Sequence, residues 1–170
     1  MRPRGPESPI LLSLIIAFQE MIDRTKIEKL VNEYIHGTDL FLVAVRVSSS
    51  NRITVLADTK AGITIDECAG LHRHIEKEFD RNVEDFELQV SSPGLDTSFG
   101  VIEQYYKNEG KKVTVLDNEG LKYSGVLRNV TVGGFDLETE VKDKGKAKEI
   151  KEIPFNFDQV KSTKIVLTIK

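Results

Sequence analysis

The chain contains a single cysteine, Cys68, so it cannot form an internal disulfide, and a lone thiol fits a reducing cytoplasm. It has no apolar run long enough to cross a bilayer. It also lacks a nucleophile elbow, a phosphate-binding P-loop and a dinucleotide fingerprint. No sign of charge dominates. The net charge of −3 argues against a protein that simply coats nucleic acid. An apolar fraction of 39% and a charged fraction of 30% are ordinary for a globular chain and exclude extended disorder.

The charge is unevenly placed. Residues 1–99 carry 11 Lys+Arg against 16 Asp+Glu, while residues 100–170 carry 13 against 11. A mildly basic C-terminal part beside an acidic N-terminal part permits contact with polyanions. The first residues, MRPRGPESPILLSLIIAFQEM, pair two arginines with a short apolar run from Ile10 to Phe18. No small-x-small cleavage site follows, and the run does not continue the apolar stripe that begins at Ile27. Residues 1–20 therefore read as an extension upstream of a working start at Met21.

From Met21 onward the pattern predicts an α-β-β-α-β unit. Ile27, Leu30, Val31, Tyr34 and Ile35 recur at helical spacing, and Gly37 suits a left-handed cap. LFLVAVRV (40–47) reads as a strand with Phe41, Val43, Val45 and Val47 on one face, and RITVLAD (52–58) as its hairpin partner. Thr64 and Glu67 match a capping box at the start of a second helix. Ile65, Cys68, His72, Ile75 and Phe79 are expected to line the apolar face of that helix. A strand with Phe86, Leu88 and Val90 alternating inward follows. This order predicts a three-stranded sheet with helices on one face.

Beyond residue 96 the texture changes. A short helical stretch (99–110) leads into KVTVLD, LKYSGVLRNV, FDLETEV, EIPF and KIVLTIK, separated by turn residues. Five short strands suggest a small closed barrel, since closure removes exposed edges. The expected fold is α+β. An extension spans 1–20, an α/β N-terminal domain 21–95 and a C-terminal β-barrel domain 96–170.

The two textures meet at Ser91-Ser92-Pro93-Gly94-Leu95-Asp96. Pro93 keeps Ser92 extended, and Gly94 would supply the positive φ of a type II turn. Leu95 would anchor in apolar contact, and Asp96, Thr97 or Ser98 would cap the next helix. A rigid interdomain joint accounts for all six residues.

No residue set presents a catalytic or metal-binding pattern. His72 and His74 point to different faces of their helix, so they cannot chelate a metal together. Cys68 and His72 sit at i, i+4, but a structural thiol is the commoner outcome. The chain is read as non-enzymatic, with no cofactor and no small-molecule substrate. VKDKGKAKEIKE places Lys142, Lys144, Lys146, Lys148 and Lys151 around Gly145, a hairpin tip able to reach phosphates or simply a solvated loop. The open face of the first sheet would show Arg46, Arg52, Thr54, Glu87 and Gln89, which suits a protein partner. The first half lacks the GXXG loop of a KH domain and the aromatic strands of an RRM.

Two separated motifs carry a resemblance. ADTKAGITIDECAGLHRHIEKEFD (57–80) and ELQVSSPGLD (87–96), backed by QYYKNEGKKVTV (104–115), resemble the RimP family of ribosome maturation factors. The likeness covers most of residues 21–170. It implies a C-terminal barrel of the SH3-like or Sm-like kind and an assembly factor that binds the free small (30S) ribosomal subunit. Contact would run through 16S rRNA and a ribosomal protein near the decoding region. Asp58, which closes the second strand as in the family, joins Arg46 and Arg52 as a candidate partner-binding residue. The family usually continues SSPGLD with a basic residue and then proline. Thr97 and Ser98 stand there instead, so no role of that basic residue carries over. The resemblance implies a cytoplasmic protein without a membrane partner, and it is taken to be a monomer. The alternative is a protein–protein adaptor whose barrel docks a peptide along a strand edge.

Overall fold

The computed structural model describes residues 22–83 and 85–168. The extension read at residues 1–20 lies outside them. The chain divides into two compact units between Ser92 and Pro93.

In the N-terminal unit, helix α1 (Arg24–Ile35) begins where Asp23 Oδ1 accepts the Thr25 amide at 2.9 Å. Its stripe of Ile27, Leu30 and Val31 is buried, and Gly37 takes a φ of 78° just past its end. Strands β1 (Phe41–Val47) and β2 (Arg52–Asp58) pair antiparallel, and β3 (Glu87–Ser91) pairs parallel with β2. A parallel neighbour requires a long crossover, and helix α2 (Ile65–Glu76) provides it. The sheet order is β1-β2-β3. Ile53, Val55 and Ala57 of β2 are fully buried against the helices, each larger side chain contributing about 1.5–3 kcal/mol.

Two sequence expectations fail here. A bulge between Leu42 and Ala44 breaks the alternation in β1, so Leu42, Val45 and Val47 pack on the core while Phe41 and Val43 do not follow them. On α2, Ile65 is 88% exposed, and Leu71 and Ile75 are the buried residues. Ile65 is the first helical residue, and its side chain faces solvent. The Thr64–Glu67 capping box is present: Thr64 Oγ1 accepts the Glu67 amide at 3.2 Å, and Glu67 Oε2 accepts the Thr64 amide at 2.8 Å.

In the C-terminal unit, helix α3 (Ile102–Asn108) precedes β4 (Lys112–Asp117), β5 (Lys122–Arg128), β6 (Gly134–Val141), β7 (Glu149–Asn156) and β8 (Val160–Ile165). The strand order is β7-β6-β5-β4-β8. The five-stranded sheet does not close, because the two terminal strands are not paired with each other, and the closed barrel expected from sequence is not formed. Edge positions suit these strands: β7 carries Pro154, which lacks a ladder donor, and part of β8 is covered where Phe99 N donates to Thr163 O at 2.9 Å. The last strand also begins earlier than KIVLTIK suggested. Packed aromatics make the core. Tyr105 meets Phe99, Phe135 and Phe157 at centroid distances of 5.0, 5.3 and 4.9 Å, and Phe135 stacks on Phe155 at 5.5 Å. Tyr105 also donates its hydroxyl to the buried Thr163 Oγ1 at 2.9 Å, tying α3 to β8. Burial pushes the Tyr105 phenol above its usual pKa, and the bond to Thr163 opposes that only in part.

The helix α2 assignment is testable by denaturant unfolding. Leu71→Ala should cost about 2–5 kcal/mol, the usual range for emptying a core leucine site. Ile65→Ala should change stability by less than about 0.5 kcal/mol.

Candidate functional site

The open face of the first sheet follows directly from its register. Arg46 lies opposite Thr54, Thr54 opposite Gln89, and Arg52 opposite Glu87. Because the other face holds the core, these alternate residues point away from it. Arg52 Nε meets Glu87 Oε2 at 3.0 Å, with side chains 64% and 70% exposed. Such an exposed pair contributes about 0–1 kcal/mol and chiefly orients its members. Arg46 is exposed and has no ion-pair partner among the described residues. The result is a mixed-charge platform rich in donors.

Asp58 behaves differently from Arg46 and Arg52. It is 6% exposed, and its Oδ1 accepts the amides of Thr59 at 2.9 Å and Ile63 at 3.2 Å. The carboxylate therefore folds the β2–α2 loop inward and is buried rather than exposed like Arg46 and Arg52. Its position at the end of β2 revealed the acid but not its burial.

SSPGLD also departs from expectation. Ser91 ends β3, opposite Leu56. Gly94 has no positive φ, so the type II turn is not formed. The turn sits two residues later: Thr97 N donates to Gly94 O at 3.2 Å, and Thr97 Oγ1 donates to the same oxygen at 2.6 Å. Leu95 and Asp96 are the central residues, and neither requires positive φ. Leu95 is 66% exposed and anchors nothing. None of Asp96, Thr97 and Ser98 caps α3. The N-cap is Val101, and Gln104 Oε1 takes the amides of Gly100 at 2.6 Å and Val101 at 3.2 Å.

The lysine-rich segment is a hairpin tip, bounded by the Val141–Glu149 pair. Lys148 Nζ meets Glu140 Oε2 at 3.0 Å, whereas Lys142, Lys144 and Lys146 have no ion pair among the described residues. Lys151 lies within β7, opposite Thr139.

Sequence reasoning reads SSSN as the turn between β1 and β2 but not what Asn51 does there, and it misses two further local devices. Asn51, at a φ of 54°, closes the β1–β2 hairpin and offers its carbonyl to the Glu87 amide at 3.1 Å. Its place at the end of SSSN was the available signal. His74 packs on Tyr34 at a centroid distance of 5.1 Å, joining the two helices. Arg81 holds the segment before β3, donating to Glu76 Oε1 at 2.8 Å and to Phe86 O at 3.2 Å while its guanidinium lies 4.5 Å from the Phe86 ring. That hydrogen bond from Arg81 holds the Glu76 carboxyl below its ordinary pKa. Cys68 is only partly buried, yet desolvation, reinforced by the Glu67 charge, pushes its thiol up. This is the opposite of an activated nucleophile. Among the described residues, no group of three or more His, Cys, Asp or Glu could hold a metal, and no helix is long and apolar enough to cross a membrane.

The family model of the RimP N-terminal domain matches residues 30–96, from α1 through the whole of SSPGLD. A ribosome maturation factor RimP of Porphyromonas gingivalis is 40% identical over 118 residues, covering 69% of this chain and 78% of that protein. The chain belongs to the RimP family. Proteins of the same name from Christiangramia forsetii and Cytophaga hutchinsonii are each 28% identical, over 85% and 89% of this chain and 98% of each relative. Alignments of that extent reach both units. In this RimP-family chain the hydroxyl of Thr97 closes the turn after SSPGLD, so the turn has a local explanation without a basic residue at that position.

Asp58→Ala should destabilise the N-terminal unit by about 1–3 kcal/mol, the range for leaving buried amides unpaired, as read by denaturant unfolding. At pH 7 a thiol of raised pKa holds less thiolate than a free cysteine. Cys68 in the folded chain should therefore alkylate more slowly than in the unfolded chain, and the deficit should shrink as pH rises past the usual thiol pKa of about 8.5.

Proposed function

We propose that this chain is a non-enzymatic factor in maturation of the small (30S) ribosomal subunit. It binds free subunits through 16S rRNA and a ribosomal protein near the decoding region, in the cytoplasm and as a monomer. The observation that carries the reading is membership of the RimP family, with a relative named as a ribosome maturation factor at 40% identity. Two physical features support it. The platform of Arg46, Arg52, Thr54, Glu87 and Gln89 offers the polar, oriented contacts that a protein partner can read. The excess of acids in residues 1–99 complements a basic ribosomal protein and favours its approach.

The modest net charge fits a factor that must leave the finished subunit, since phosphate attraction without selectivity would hold it there. A second reading has its own support. The unclosed sheet of the C-terminal unit leaves strand edges at β7 and β8, and a peptide added to such an edge would make the chain an adaptor.

Co-sedimentation of the full chain with free small subunits, large subunits and intact ribosomes over a salt series separates these readings. Selective binding to free small subunits, weakening with salt, is the expected result. Equal binding to all three particles would reduce the interaction to bare charge attraction. No binding even at low salt would sink the ribosomal reading and leave the adaptor. On the sheet face, Arg46→Glu should weaken subunit binding by roughly tenfold or more, as reversal of an interface charge does, with thermal stability unchanged.

A further inference from the structure

The hairpin of β6 and β7 outruns its sheet. Pairing of β6 with β5 stops at Glu138, opposite Val126. Pairing of β6 with β7 continues through Thr139–Lys151, Glu140–Ile150 and Val141–Glu149. Residues 149–152 are all exposed, Ile150 among them at 64%, so this part of the ribbon buries neither face of β7. Three rungs at about 3.3 Å each extend the ribbon by about 10 Å before the loop begins. A solvent-exposed ribbon of this kind adds little core, and its apolar burial does not explain it.

The tip is organised to spread positive charge. Lys146 N donates to Asp143 O at 3.2 Å, closing a turn in which Gly145 takes a φ of 84°. Between Lys142 and Lys148 there are four lysines and one aspartate. The Lys148–Glu140 pair spans the base of the loop, which leaves Lys142, Lys144 and Lys146 as exposed cations beyond it. Residues 139–151 include no aromatic side chain and no arginine, so the tip can neither stack on a base nor grip one with a planar fork. Flexible ammonium groups instead suit the phosphate backbone, whatever the base sequence.

We infer that residues 139–151 form an arm whose Lys142, Lys144 and Lys146 bind the phosphate backbone of ribosomal RNA without reading its bases. The inference rests on the ribosomal reading above and assigns one of its contacts. The arm positions the factor, and selectivity for the subunit comes from elsewhere on the chain, since a base-blind contact cannot distinguish one RNA from another.

The test compares the full chain with a triple variant, Lys142→Ala, Lys144→Ala and Lys146→Ala. Binding is measured on free small subunits and on a protein-free transcript of the small-subunit rRNA, over a salt series. Loss of three phosphate contacts should lower the slope of log affinity against log salt by about 2 to 3 on both targets. Replacing the same lysines by arginine should restore it, and matching thermal melts would show that every variant is folded. An unchanged slope in the alanine variant, with wild-type binding intact, overturns the arm and leaves the ribosomal reading standing. A change on subunits with no counterpart on the transcript means that the arm meets a ribosomal protein, and it overturns the RNA contact. Failure of the wild-type chain to bind small subunits at all removes the ribosomal reading and this inference with it.

Discussion

The N-terminal unit depends on the parallel pairing of β2 with β3. Parallel neighbours cannot be joined by a tight turn, so the chain must leave the end of β2, cross over and return in the same direction. Asp58 starts that excursion by drawing the amides of Thr59 and Ile63 into the fold, and the Thr64–Glu67 box starts the helix. Arg81 and Asn51 then steer the return into β3. The crossover places Leu71 and Ile75 on the core and leaves Arg46, Arg52, Thr54, Glu87 and Gln89 on the other sheet face. The candidate platform is thus a consequence of how the crossover covers only one side.

The C-terminal unit solves a different problem. Its sheet does not close, so it cannot rely on a continuous ring of hydrogen bonds. Packing supplies the cohesion instead. Tyr105 from α3 sits among Phe99, Phe135 and Phe157 and reaches Thr163 on the edge strand. A buried hydroxyl with a partner avoids the cost of an unsatisfied polar group while giving the helix one preferred seat. With the core concentrated near Phe135, Leu137 and Phe155, the far end of the β6–β7 ribbon adds nothing to it and is left to carry charge.

These two economies divide the candidate contacts by chemistry. The platform mixes charges and hydrogen-bonding groups on a sheet that holds them in register, which favours recognition of a shaped partner. The arm carries like charges on flexible stems, which favours attraction over discrimination. A factor that must bind an unfinished particle and later leave it is well served by a selective contact joined to a salt-sensitive one.

Much of this was written in local sequence. The α1 stripe, the capping box at Thr64, the alternation of Ile53, Val55 and Ala57, and the lysine hairpin are periodic or short-range signals, and each folds as its residues dictate. The platform residues were readable too, because strand alternation alone assigns them to the face opposite the core. Tertiary structure decided what periodicity could not reach. The bulge at Leu42–Ala44 turns Leu42 inward in place of Phe41 and Val43 while Val45 and Val47 stay on the core, and a single inserted residue leaves no mark in composition. Ile65 is exposed at the first position of its helix, and Asp58 is buried where the loop amides of Thr59 and Ile63 close on it. Whether five strands close into a barrel depends on stagger and twist summed over every strand, a long-range quantity that no local run of residues encodes.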